Sequence, residues 1–388
     1  MNIEIEQCLQ ALSLQLSNII ILTMKRIFSL IMLTLSLTAS AQTFSHPGML
    51  HTASDLESIR VNILSGKQPW ADAWQQLKDS KVASVDYKAT PWRVVSNGSY
   101  NKPDNGGSDF VRDGAAAYTM ALQWWVERDT IYAEKAIEIM NDWACTLDSV
   151  VNQNRQLKIG TGGIKYLNAA EIIKCTYPYW KESDRKAFER MVIDIWYPTI
   201  KDWTPRYNGN WDAAIGQTML CIGVFMDRRD IFDAAVEMLT YGNSNGAIVN
   251  YVSTTGQCQE SGRDQNHVQM GLGFWGCAAE VAWNQGVDLY GTADNRYLKG
   301  LEYTAKFMCG EDVPYEQYTT WYGRKVFGEE ISQDKRDRVA PIWERPYHHY
   351  HNRKGYDMPY TRKMVEKSRP EGADPQSFVP WGTLSLTD

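Results

Sequence analysis

This chain of 388 residues has no Cys-x-x-Cys pair and no His-Glu-x-x-His segment, which removes the commonest zinc and thiol–disulfide motifs. Positive charge is not in surplus: 40 Lys and Arg stand against 46 Asp and Glu, a net charge of −6, so nucleic acid is not an expected partner. Residues 27–37 form the long apolar run, and it is too short to span a bilayer. Before residue 310 there is no run of alternating strand residues, and nowhere is there a linker, so one domain is expected. Histidine is scarce. Of six in the chain, only His267 falls between His51 and His348. Aromatics are plentiful instead, with 15 Trp and 21 Tyr. Such rings fill helix interfaces or stack on the apolar faces of sugars.

The N-terminal segment has the parts of an export leader. Met24-Lys25-Arg26 supplies positive charge, residues 27–37 the apolar core, and Ala39-Ser40-Ala41 a small-residue cleavage site. The expected organisation is an upstream stretch at 1–23, a signal peptide at 24–41, and a mature domain at 42–388 that is periplasmic or secreted. Six cysteines remain after that cleavage. Cys145, Cys175, Cys221, Cys277 and Cys309 sit in apolar helical stretches and read as buried core residues.

Helix follows helix along the mature chain. Residues 55–64 and 70–80 form a first pair, and a loop rich in Asn, Gly and Pro covers 90–109. Then a weak repeat appears, in which a helix of small apolar residues leads through a charged turn to a more amphipathic helix. The units are 114–126 with 131–147, 167–180 with 186–200, 212–226 with 231–241, and 268–283 with 295–308. Small residues let the first helices crowd around a centre, and amphipathic second helices suit an outer ring with one wet face. Repeated helical hairpins of irregular length indicate an all-α, (α/α) toroid. An incomplete barrel of about six to seven hairpins is expected, followed by a loop-rich tail with a helix near 360–367.

In a toroid the loops at one end of the inner helices line a central cleft. Three loops here are rich in polar residues. WTPRYNGNWD (203–212) holds Asn208, Asn210 and Trp211. GQCQESGRDQNH (256–267) holds Glu260, Arg263 and His267 at the mouth of a Gly/Ala-rich helix. YEQYTTWYGRKVF (315–327) holds Tyr322 and Arg324. These residue types suit β-elimination across a 4-linked uronic acid. An amide or guanidinium neutralises the carboxylate and stabilises the enolate-like intermediate. A neutral His or an ionised Tyr takes the C5 proton, and a Tyr protonates the leaving O4. No cofactor is required. Each residue also has a plainer role open to it: Asn210 or Asp212 as a helix cap, Arg263 in an ion pair with Glu260 or Asp264, His267 bonded to a backbone carbonyl.

HPGMLHTASDLESIR near the expected mature start, NGNW at 208–211, and QESGRDQNHVQMGLGFWGCAAEVAW at 259–283 resemble polysaccharide lyase family 38, within the alginate lyase/chondroitin lyase toroid superfamily. The resemblance covers nearly the whole mature chain. It implies an (α/α) toroid acting as a lyase on alginate or glucuronan, with an Asn/His/Tyr/Arg set carried by Asn210, His267, Tyr322 and either Arg263 or Arg324. Gly209 separates Asn208 from Asn210, so either asparagine can be the one that binds the carboxylate.

Residues 320–369 hold twelve Lys and Arg against seven Asp and Glu, with three of the six histidines. RPYHHYHNRKG (345–355) is expected to be non-helical, because Pro346 and Gly355 bracket it. Arg345, His348, His349 and Arg353 are then expected to form a basic wall for a polyuronate, and no metal is expected there. Two other functions stay open. A glycoside hydrolase would need two carboxylates across the bond, from Asp113, Asp212, Glu260 or Asp264. A non-catalytic glycan-binding protein would use the same cleft without turnover.

Overall fold

The computed structural model describes residues 43–202, 207–373 and 377–385; the expected leader at 24–41 lies outside them. Local signals start the helices where the sequence places them. α1 (Ala53–Leu64) opens on a capping box in which Thr52 and Asp55 satisfy each other's backbone N–H groups. α2 (Trp70–Lys78) completes the first pair. α3 (Gly107–Glu127) ends at Arg128 in a left-handed turn, and α4 (Thr130–Thr146) begins at once with Asp129 accepting from the Ile131 N–H.

The later pairs are α5 (Arg155–Thr176) with α6 (Glu182–Arg190), α7 (Gly209–Phe225) with α8 (Arg229–Thr240), and α9 (Gln265–Asn284) with α10 (Thr292–Met308). A π-helical turn, Met191–Trp196, and the short helix Tyr197–Ile200 continue α6. α3 packs on α5, α5 on α7 and α7 on α9, so the first helices of the pairs form a continuous inner row. This is the expected all-α toroid, with five helical pairs among the described residues.

α5 starts twelve residues before the 167–180 helix read from the sequence. Its first half, QLKIGTGGIK, carries three glycines and little helical periodicity. The glycines are there for contact. A Cβ on Gly160 would stand 2.8 Å from the Ala214 backbone, and one on Gly163 would stand 2.8 Å from Thr218 Cγ2. Gln217 Nε2 and Thr218 Oγ1 both donate to the Gly160 carbonyl, at 2.9 and 2.8 Å. Close backbone approach therefore sets the α5–α7 crossing, and a tertiary contact overrides the weak propensity of glycine.

Residues 45–51 and the tail join helices at the two ends of the inner row. The Gln285 side chain exchanges two 3.0 Å bonds with the Ser45 backbone. Leu50 N–H donates to Asn168 on α5, and His51 meets the Tyr118 hydroxyl on α3. From the tail, Trp381 Nε1 donates to Thr119 on α3 and Arg345 donates to Cys277 Sγ on α9. α11 (Pro359–Ser368) is the tail helix expected near 360–367.

Some local expectations fail. A small sheet of order β2–β1–β3 is present, from β1 (Val94–Asn97), β2 (Asp104–Asn105) and β3 (Ser149–Val151). These strands are too short to show alternation. Residues 344–353 are helical, as a turn of α-helix, Glu344–Tyr347, followed by a π-helical turn, His348–Arg353. Pro346 is accommodated because it falls in the first turn, where its N–H would have no partner. Gly355, at φ 74°, lies just beyond the end. Cys145 and Cys175 are exposed and Cys309 is partly so, whereas Cys221, Cys258 and Cys277 are buried. Among the described residues no helix is long and apolar enough to cross a membrane.

Candidate active site

The inner helices are buried almost throughout, and their interruptions mark the site. Within α7 every residue but Trp211 is buried. In the first half of α9 the residues left open are Asn266, His267 and Met270, and Leu157 is the gap near the start of α5. Trp211, His267, Met270 and Leu157 all line one cavity of about 440 Å³. Tyr207, Asn208 and Arg263 complete its inner side. Ser99, Tyr100 and Asn101 from the turn after β1, Gln153 and Asn154 from the β3–α5 connection, and Ser377 from the tail supply the rest.

His267 is held from one side. Asp264 is the N-cap of α9 and uses both carboxylate oxygens on it: Oδ1 accepts from the His267 backbone N–H at 2.8 Å, and Oδ2 meets Nδ1 of the ring at 2.6 Å. Burial by itself would raise the Asp264 pKa. The hydrogen bonds from the His267 ring and backbone, with the His267 and Arg263 charges, hold it below the ordinary carboxylate value. Arg263 Nη1 lies 3.2 Å from Glu260 Oε1, and its Nε lies 3.7 Å from Asp264 Oδ2. Residues 260, 263, 264 and 267 thus alternate acidic and basic side chains where the chain enters α9.

Glu260 is fully buried. Burial pushes its pKa up to about 7, against the lowering pull of His267, Arg263 and the Tyr251 hydroxyl. A guanidinium at 3.2 Å would ordinarily keep a carboxylate ionised. Here the Arg263 side chain is 24 % exposed and shares its charge with Asp264 while Glu260 is 0 % exposed, so burial prevails. Asp212, also buried, accepts from the Gly246 N–H at 3.0 Å and is raised well above its ordinary value, chiefly by burial. Asn210 is 1 % exposed, and neither atom of its amide has a partner among the described residues.

Asn208, Trp211, Arg263 and His267, from two of the three loops singled out in the sequence, therefore share one cavity. Asn210 lies between two residues that line it, and Glu260 sits against Arg263. Tyr322 and Arg324 are on a turn closed by pairing of Thr319 with Lys325, and they are not among the residues lining the cavity. The phenols that do line it are Tyr100 and Tyr207.

Arg345, His348, His349 and Arg353, expected to form a basic wall, do not line this cavity. Arg345 contacts Cys277 Sγ at 3.2 Å, and Arg353 makes a two-pronged bond to Glu280 at 2.9 and 3.2 Å. Those partners are ten and thirteen residues beyond His267 on α9, or about 15–20 Å along a helix. His349 is stacked 3.7 Å from the Tyr290 ring, with Trp283 edge-on at 4.8 Å. Burial, reinforced by the charges of Arg353, Lys354 and His348, lowers its pKa to about 3. His348 is 3 % exposed. Arg345, His349 and Arg353 pack the tail onto α9, because the helical turns at 344–353 direct them inward. Among the described residues, no cluster of His, Cys, Asp or Glu has the spacing to hold a metal.

Sequence reasoning missed Tyr100, Asn101, Gln153, Asn154 and Tyr207. Tyr100 (φ 51°, ψ 33°) and Asn101 (φ 57°) are successive non-glycine residues in the left-handed region, a conformation that costs free energy and gathers at functional sites. Asn154 braces that turn by donating to Asn97 Oδ1 at 2.9 Å and to the Gly98 carbonyl at 2.6 Å. The available signal was an Asn/Gly-rich loop holding one aromatic, NGSYN.

Among the described residues the cavity is lined by amides, hydroxyls, an arginine and a histidine, and by no carboxylate. Asp113 is committed elsewhere, to the Tyr87 hydroxyl, the Thr90 N–H and Trp143 Nε1. The Alginate lyase family model matches residues 63–313, most of the inner row and its outer partners. The chain belongs to that family and is a polysaccharide lyase. Among solved structures it is similar to alginate lyase A1-III from Sphingomonas species A1, at 14% identity over 89% of this chain and 97% of that one, with a TM-score of 0.62. A variant of A1-III complexed with tetrasaccharide gives 14% identity, the same coverage and a TM-score of 0.63. An alginate lyase from Bacteroides ovatus gives 13% identity over 86% of this chain and 98% of that one, with a TM-score of 0.56. No curated protein sequence matches the chain.

Proposed function

We propose that this lyase cleaves a 4-linked polyuronate, alginate in the first place, by β-elimination outside the cytoplasm, after removal of residues 24–41. The carrying observation is the chemistry of the cavity. A cation, several amides and a held imidazole converge there, and no lining carboxylate among the described residues would repel a polyanion or serve a two-carboxylate hydrolase. Arg263 with Asn208 neutralises the substrate carboxylate at the C5 carbon, which acidifies the C5 proton. Asn210 is buried and does not line the cavity, so Asn208 is the asparagine assigned to the carboxylate. His267 accepts the C5 proton. The electron pair of the C5–H bond becomes the C4=C5 double bond, the C4–O4 bond breaks, and O4 leaves with a proton from a phenol. We assign that role to Tyr207, which is half-buried and lines the cavity, ahead of Tyr322, which does not line it; Tyr100, largely exposed, is a stacking surface.

A panel of alginate blocks, glucuronan and other polyuronates, read at the ultraviolet absorbance of the new double bond, tests the reading. His267→Ala should lose at least about 10³-fold in kcat, the scale of a positioned acid–base group, and Tyr207→Phe should lose more than Tyr322→Phe. Wild-type rates in His267→Ala, or reducing ends released without the chromophore, would overturn it. Protein N-terminal sequencing after export checks the cleavage site.

A further inference from the structure

His267 is the proton acceptor of the proposed elimination, and the role inferred for its neighbour Asp264 rests on that assignment. An imidazole accepts a proton only with the correct nitrogen unprotonated. We propose that Asp264 is the positioning residue that fixes His267 in the Nδ1–H tautomer, leaving the Nε2 lone pair for the substrate C5 proton.

Three observations carry this. First, Asp264 is pinned independently of the ring: Oδ1 is held 2.8 Å from the His267 backbone N–H as the cap of α9. The second oxygen therefore arrives at Nδ1, 2.6 Å away, in a set orientation. Second, an ionised carboxylate only accepts hydrogen bonds, so the Nδ1 atom facing it carries the hydrogen. Arg263, 3.7 Å from the same Oδ2, favours that ionised form. Third, Nε2 has no partner among the described residues, and the ring lines the cavity with about a quarter of its surface open. After transfer, Nε2 holds the former C5 proton and the resulting imidazolium faces the Asp264 carboxylate, which stabilises it.

The spacing makes the device local. An N-cap and the third residue of the helix it starts are always adjacent. Asp-x-x-His at the start of α9 thus builds acceptor, tautomer and orientation into one helical turn, with no dependence on distant packing.

The test is Asp264→Asn. Asparagine caps a helix as well as aspartate does, so α9 keeps its start. Its carbonyl oxygen still accepts from the His267 N–H, but its amide now donates to Nδ1 and forces the hydrogen onto Nε2. The same substitution beside the histidine of a serine protease lowers kcat about 10⁴-fold through the wrong tautomer, and a fall of about 10³–10⁴ in kcat with KM within about threefold is expected here. Nitrogen-15 NMR of the histidine ring in the free enzyme reads the tautomer without substrate, with His267→Ala identifying the signal. Wild type should show Nδ1–H and Asp264→Asn should show Nε2–H. An unchanged tautomer in the variant, or an Nε2–H wild type, overturns the assignment of Asp264 whatever the activity. A switched tautomer with unchanged kcat leaves Asp264 controlling the ring but removes His267 as the base, so the two failures are distinguishable.

Discussion

Glu260 gives the fold a pH dependence that can be worked out in advance. Its carboxyl, buried against Arg263 and Tyr251, has its pKa moved from 4.5 to about 7. Between those values the unfolded chain has released the proton while the folded chain retains it. The unfolded state then binds fewer protons, so stability falls as pH rises through this window. It is fully present below pH 4.5 and levels off above about 7. The shift spans about 2.5 pH units, and at about 1.4 kcal/mol per unit the loss is about 3 kcal/mol. Glu260→Gln has the shape of the neutral acid and cannot ionise. Urea unfolding of wild type and variant at pH 4.5, 6 and 8 reads the residue, because titrating groups remote from Glu260 cancel in the difference; repeating the pair in a His267→Ala background removes the coupled imidazole. Wild type should lose about 3 kcal/mol more than the variant between the extremes. Parallel profiles would mean that Glu260 is ionised throughout and that its contact with Arg263 is an ordinary ion pair, which refutes the claim that burial prevails.

Two further outcomes are expected. Tyr100→Ala should leave stability within about 0.5 kcal/mol, as for most surface changes, since the side chain is 87 % exposed. Loss of one stacking contact of about 1 kcal/mol should raise KM for polymer about fivefold with little change in kcat; an unchanged KM removes Tyr100 as a stacking surface. Arg353→Met leaves Glu280, whose side chain is 5 % exposed, without its cation and should cost about 3 kcal/mol in denaturant unfolding. kcat should hold, because the pair lies at the other end of α9 from His267. Adding Glu280→Gln should restore much of the stability, and a kcat that falls in step with stability would show the two ends to be coupled.

The order of helices was legible because it is written locally. Asp129 and Asp264 cap the helices they precede, and the small-residue stretches 114–126 and 268–283 are inner helices. α5 was half hidden because its glycines answer to Ala214 and Thr218, which are remote in sequence. The candidate site divides in the same way. Arg263 and His267 were found because a polar run before an apolar helix is a local pattern, and Asn208 and Trp211 because NGNW opens another. Tyr100 and Tyr207 lie in loops whose composition stood out, but nothing local marks either tyrosine among the twenty-one, and Asn154 lies in a loop of ordinary composition. Arg345, His348, His349 and Arg353 misled because charge and histidine content say nothing about which way a helical turn faces.

By itself the amino-acid order determined the alternation of inner and outer helices and the alternation of acidic and basic side chains from Glu260 to His267, since both depend on short spacings along the chain. Only the tertiary structure decided which loops close around His267, that Glu260 is fully buried, and that the basic tail packs inward on α9. Those outcomes depend on the directions in which helices tens of residues apart cross and on how much water their packing excludes, and no local spacing carries that information.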